Sequence, residues 1–140
     1  MRAMEISRSG LDVEWRRLEI IAENLANAGT TRTALGEPYQ AMRLVSGPAG
    51  GFAAQLGRQG AAAPAGVAVY GTQPTNLPPR LVYEPSHPHA DDNGYVSYPG
   101  IDHAGEMTLM VSTARIYEAN LVAMNIARQM YARALDLGKR

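Results

Sequence analysis

The residues best equipped for chemistry sit together late in the chain: His87-Pro88-His89, with Asp91 and Asp92 just beyond and His103 further on. Imidazole and carboxylate in combination suit zinc or a similar ion. Pro85 and Pro88, however, bend the backbone on both sides of His87, and one turn rarely aims three ligands at a single point. The expectation is a solvated turn with no metal. A metal-dependent hydrolase using His87, His89 and Asp91 is the competing possibility. Ser86, Ser97 and Ser112 lack the Gly-x-Ser-x-Gly setting of an activated nucleophile. Gly47-Pro48-Ala49-Gly50-Gly51 is followed by neither the Lys-Ser/Thr nor the helix start of a phosphate cradle. There are no cysteines, which removes disulfides and thiolate chemistry. No catalytic residue, cofactor or metal is therefore expected, and the chain reads as a non-enzyme.

The elements that would position any site divide the 140 residues into three parts: a helical end at 1–29, a β-rich middle module at 30–103, and a second helical end at 104–140. Residues 3–28 contain no Pro and a single Gly, Gly10. Met4, Leu11, Leu18 and Leu25 recur every seven residues, with Trp15 and Ala22 beside them, and at about 100° per residue they make one apolar stripe. Ile6, Val13 and Ile20 form a second stripe with the same period, roughly opposite the first. Gly29, after Asn27-Ala28, is the residue type that ends a helix in a left-handed cap.

The last third repeats this design. Met107, Met110, Ala114, Tyr117, Leu121 and Met124 alternate in steps of three and four, the spacing of a coiled-coil seam, and Tyr131 and Leu135 resume it after Arg128. Leu109, Ile116, Ala123, Met130 and Leu137 make a second set spaced by seven on another side. A monomer of this size is about 35–40 Å across, whereas the two helices would run roughly 38 and 50 Å. Long helices that are apolar on more than one side need neighbours. The expected architecture is α+β, with the terminal helices pairing as a coiled coil and burying apolar faces in an assembly. A plain antiparallel hairpin closing a monomeric core is the simpler alternative.

The middle holds all nine prolines. Between them, Tyr39–Val45, Val67–Tyr70, Leu81–Tyr83 and Tyr95–Tyr98 alternate as short strands do, and Asn93-Gly94 signals a turn. Residues 46–66, rich in Gly and Ala, read as a long loop or arm. The formal net charge is zero and the 13 basic residues are scattered among acids, which argues against nucleic acid or an anionic membrane as partner. No run of about 20 apolar residues could span a bilayer, and the start, Met1-Arg2-Ala3-Met4-Glu5, lacks the apolar core of a secretory signal.

Several segments carry a family resemblance. They are Asn24-Leu25-Ala26-Asn27-Ala28, Gly36-Glu37-Pro38-Tyr39, Leu81-Val82-Tyr83-Glu84-Pro85, Asn93-Gly94-Tyr95-Val96 and Tyr117-Glu118-Ala119-Asn120. In this order they resemble the proximal rod proteins of the bacterial flagellar basal body, nearly end to end. The Asn-Leu-Ala-Asn element is similar to one shared by flagellar axial proteins generally; Tyr83, Pro85, Gly94 and Tyr95 belong to the set that points to the proximal rod. The resemblance implies a structural subunit that is exported through the flagellar type III apparatus without signal cleavage and stacks helically. Its terminal helices would form an inner tube, with the middle module outward. It implies as partners copies of the chain itself, the rod proteins FlgB, FlgF and FlgG, and the adaptor FliE, within a torque-transmitting shaft that encloses the export channel. Asn24 and Asn27 would hydrogen-bond locally as the first helix ends. A finite coiled-coil homodimeric adaptor, or ligand-binding module, is the alternative from another class.

Overall fold

A computed structural model describes residues 2–50 and 66–138. In chain order the elements are α1 (Arg2–Ala26), β1 (Met42–Pro48), β2 (Val67–Pro74), β3 (Arg80–Tyr83), β4 (Tyr95–Tyr98) and α2 (His103–Leu137). The fold is α+β: the two terminal helices pack against each other, and a small antiparallel strand module lies between them in sequence.

Two of the helix ends have a local cause. At the start of α2 the Asp102 carboxylate accepts from the Ala104 N–H at 3.1 Å, occupying one of the amides a helix start leaves free. Gly105 leaves room for that carboxylate: a Cβ there would stand 2.6 Å from Asp102 Oδ2. Glu106, in the first turn, suits the positive end of the helix dipole. The end of α1 corrects an expectation. Gly29 is not in the left-handed region. Instead the Asn27 side chain closes the helix, its amide donating to the Glu23 carbonyl at 2.9 Å while its Oδ1 accepts from Thr30 Oγ1 at 3.1 Å.

The strands form two separate two-stranded sheets, β1 with β2 and β3 with β4. In the first, Val45 pairs with Gly71 but Ser46 pairs with Val69, so Tyr70 is an extra residue, a bulge. Tyr70 lies across Gly47, where a Cβ would meet its ring at 2.7 Å, and its hydroxyl donates to the Pro48 carbonyl at 2.6 Å. Pairing beyond the bulge carries β1 through Ser46, Gly47 and Pro48, three residues that the sequence reading assigned to the loop at 46–66. Residues 51–65 of that stretch lie outside the described residues.

The second sheet is a hairpin with Tyr83 opposite Tyr95 and Val82 opposite Val96, and Val96 is fully buried. The main apolar cluster lies elsewhere. Val13 and Ile20 of α1 pack with Leu44 of β1, and Met42 closes over them. The core therefore sits between α1 and the first sheet. The backbone of α2 runs alongside α1 and approaches no strand.

Candidate assembly interface

The two apolar stripes of α1 have different fates. The stripe of Ile6, Val13 and Ile20, one of the two faces counted as assembly surface, is largely closed inside the chain. Val13 and Ile20 are each only 4% exposed because β1 folds over them. Ile6 is half-buried, and its backbone lies 3.5 Å from where a Cβ on Gly66 would stand. The stripe of Met4, Leu11, Leu18 and Leu25 ranges from half-buried to buried, with Leu11 the most enclosed. Trp15 beside it reaches Tyr117 of α2, ring centroids 6.2 Å apart, yet stays 54% exposed. Gly10 is the close-approach point between the helices: a Cβ there would meet the Asn120 side chain at 3.1 Å.

The seam of α2 also departs from its expected register. Met107, Ala114 and Leu121 were assigned to it together with Met110, Tyr117 and Met124. Met107 and Leu121 are in fact exposed, and Ala114 is half-buried. The positions turned toward α1 are Glu106, Thr113 and Asn120, also spaced by seven, with Met110, Tyr117 and Met124 between them. A search for apolar periodicity follows the oily side of a helix, and on α2 the inner side is polar at three successive positions spaced by seven.

The first of them, Glu106, belongs to a polar network that spacing along the sequence does not reveal. Asn24 faces inward, is 0% exposed and satisfies every group of its amide. Its Nδ2 donates to the Met42 carbonyl at 3.0 Å and to Glu106 Oε2 at 3.2 Å. Its Oδ1 accepts from the Met42 N–H at 2.9 Å and from the Tyr39 hydroxyl at 3.1 Å. Glu106, 4% exposed, takes the Arg43 guanidinium as a fork, Nη1 to Oε2 at 3.1 Å and Nη2 to Oε1. One asparagine thus ties α1, the start of β1 and α2 together. Local capping falls to Asn27 alone, because Asn24 lies on the side of α1 that β1 and α2 cover. Burial, then the nearby carboxylates of Glu23 and Glu106, push the Tyr39 phenol above its ordinary value.

The motif residues of the second hairpin come together as well. The rings of Tyr83 and Tyr95 meet edge to face at 5.3 Å, and Gly94, at φ 81°, leaves the space that a Cβ would contest with Tyr83 at 2.9 Å and Pro85 at 3.1 Å. Asp91 fastens the turn by accepting from the N–H groups of Asn93 and Tyr95 at 2.9 and 2.8 Å. The histidines are engaged structurally: His87 Nδ1 accepts from the His89 N–H at 3.0 Å, and His89 Nδ1 lies 2.8 Å from Thr31 Oγ1. Among the described residues no three His, Asp or Glu side chains converge on one point.

What remains uncovered is α2. Leu109, Ile116 and Met130, from the second set read in the sequence, are 42–67% exposed. Val111, Val122 and Ile126, which that reading did not single out, are 52–56% exposed. By helical spacing, Met107, Val111, Leu121 and Val122 lie on one flank of the inner seam, and Leu109, Ile116, Ala123 and Met130 lie on the other. Asn24 meets Glu106 and Gly10 meets Asn120, so the helices are antiparallel and α1 is used up near residue 128 of α2. Beyond that point Met130, Tyr131, Leu135 and Leu137 project, 44–76% exposed.

An α+β chain with large apolar residues exposed along the flanks and tip of its longest helix presents surfaces suited to association with other molecules. Comparison with known proteins is specific about the family. A family model, "Flagellar basal body rod FlgEFG protein C-terminal", matches residues 92–137. The chain is 35% identical over 139 residues to the flagellar basal-body rod protein FlgC of Salmonella typhimurium, covering 99% of this chain and 98% of the relative. FlgC of Bacillus subtilis is 36% identical over 146 residues, with 98% and 97% covered, and that of Borreliella burgdorferi 31% identical over 146, with 96% and 95% covered. The chain belongs to the FlgC family of flagellar basal-body rod proteins. It is a structural component of the basal-body rod, associates with other rod components and is not an enzyme. No described helix is long and apolar enough to cross a membrane.

Proposed function

We propose that this chain assembles helically into the proximal rod through the flanks and projecting tip of α2, with α1 supplying the intrachain support that holds α2 in place. The observation that carries this reading is the exposure of large apolar side chains on both sides of α2, a helix whose backbone packs along α1 and whose first turn alone is tied to β1, through Glu106 and Arg43. Burying such a side chain fully stabilises by about 1.5–3 kcal/mol. Half-exposed residues contribute about half of that each when a neighbour covers them, and repetition along a shaft makes the sum large.

On this reading the terminal helices line the inner tube and the middle module lies outward. The neighbours are copies of the chain, FlgB, FlgF, FlgG and the adaptor FliE. The subunit reaches the periplasmic space through the type III export apparatus without signal cleavage. The assembly residues are those of the α2 flanks and tip, with Met4 and Trp15 of α1 beside them. Val13 and Ile20 act within the subunit.

The test is complementation of a strain lacking the gene with Ile116→Asp on one flank and with Val111→Asp on the other. Both variants should be exported and fold, yet be missing from purified basal bodies, and the cells should not swim. Swimming at the normal rate with both variants present in the rod would overturn the proposal.

A further inference from the structure

Away from the helices, the segment before β1 carries a built protrusion and, next to it, a hollow. Residues 33–37 close a tight turn: the Thr33 N–H donates to the Glu37 carbonyl at 2.8 Å and the Gly36 N–H to the Thr33 carbonyl at 2.9 Å, with Gly36 at φ 86°. The turn holds Leu35 outward, 90% exposed, the most exposed of the large apolar side chains described. Nearby, Pro38, Tyr39, Leu77, Pro79 and Pro99 line a hollow of about 240 Å³ whose wall also includes Glu37 and Gln40. Leu77 is itself 50% exposed there.

We infer that the Leu35 turn of one copy of this chain docks into the proline-lined hollow of an adjacent copy. This rests on the reading that copies stack in the rod. Two features select a second copy as the occupant. The knob is a lone leucine and the hollow is apolar and larger than one leucine side chain, so the chain carries both halves of the contact. The charges also match: Arg32 precedes the knob and Glu37 borders the hollow. Both are exposed, and neither side chain makes an ion pair with any described residue. An incoming Arg32 would therefore face a Glu37 carboxylate as Leu35 enters. A contact that joins different patches of two identical subunits can propagate along an assembly without closing.

The absence of cysteine makes the test clean. A tagged copy with Ala34→Cys and an untagged copy with Gln40→Cys are co-expressed, and intact basal bodies are oxidised. The expected result is a disulfide-linked dimer of the two copies, found only when both are present. Adding Leu35→Ser to the first copy should reduce that band by about 10- to 100-fold, the loss expected when one leucine no longer buries its side chain. Immunoblotting of the same basal bodies reports separately whether the chain is in the rod. Presence in the rod with no such dimer overturns the docking and leaves the rod reading standing. A cross-link to a protein of another size overturns it too, because the occupant is then not a second copy. Absence of the chain from the basal bodies overturns both.

Discussion

Replacing Asn24 tests the polar junction at the centre of the subunit. In Asn24→Ala, at a position with no exposure, the Met42 N–H loses its acceptor at 2.9 Å, while the Met42 C=O and Glu106 Oε2 lose donors at 3.0 and 3.2 Å but each keep Arg43 Nη1. Each buried group left unpaired costs about 1–3 kcal/mol. Each of the other bonds lost removes about 0.5–1.5 kcal/mol, and Tyr39, partly open to solvent, can recover its own through water, so the net loss is about 3–5 kcal/mol. For a chain of this length that corresponds to a fall in melting temperature of about 10–20 °C, read by circular dichroism. Asn24→Asp separates hydrogen bonding from volume. It keeps the acceptor for Met42 and Tyr39 but sets a second carboxylate 3.2 Å from Glu106 in place of a donor. Like charges that close raise the pKa of the pair. The new carboxyl therefore has a folded-state pKa above its unfolded value, and the variant's deficit is greatest near neutral pH and shrinks as the pH falls toward 5. The reasoning is refuted if Asn24→Ala melts within 3 °C of the parent, or if the Asn24→Asp deficit does not change between pH 7 and pH 5.

Three further expectations follow from close contacts and titration. Gly10→Val pushes a branched side chain into Asn120, which a Cβ alone would already meet at 3.1 Å; stability should fall by about 1–3 kcal/mol in urea titrations, and Asn120→Ala should restore part of it. Leu18, half-buried in α1, and Leu121, 39% exposed on α2, should part company. Leu18→Asp lowers the melting temperature of the isolated subunit, whereas Leu121→Asp changes its stability by no more than about 0.5 kcal/mol but still abolishes motility in complementation. Because the Tyr39 phenol titrates above 10.0 in the folded chain, the unfolded chain gives up that proton first. Stability is therefore unaffected by this group below pH 10 and declines as the pH rises beyond it, and Tyr39→Phe should flatten that decline in alkaline melts.

The architecture was legible because Pro and Gly avoid the two ends and crowd the middle, which marks helix against strand and turn. The strands of the second hairpin were readable from alternation and Asn93-Gly94, and the structure pairs them as a hairpin. The rest depended on partners that sequence spacing cannot reveal. Val13 and Ile20 look like any exposed stripe until Leu44 is folded onto them. The α2 seam was placed on Met107, Ala114 and Leu121 because apolar residues are the usual signal of an inner face. The true inner face carries Glu106, Thr113 and Asn120; Asn24 and Arg43 pair with Glu106, and Gly10 leaves room for Asn120, all from distant positions. An Asn in the middle of an otherwise apolar inward arc was the one available signal. Asn24 falls on the same arc as Val13 and Ile20, and a buried amide implies dedicated partners.

The claim that the flanks of α2 are the surfaces on which the rod is built is tested most directly by cysteine accessibility. Ile116→Cys, in a chain that otherwise has no cysteine, gives one reactive thiol at a flank position 47% exposed in the subunit. In purified subunits a maleimide should label it at the rate of a free surface thiol. In intact basal bodies from motile cells the same thiol should be protected at least tenfold. Equal labelling in both states would mean that the flank still faces solvent in the rod, and the account of assembly through α2 would be contradicted.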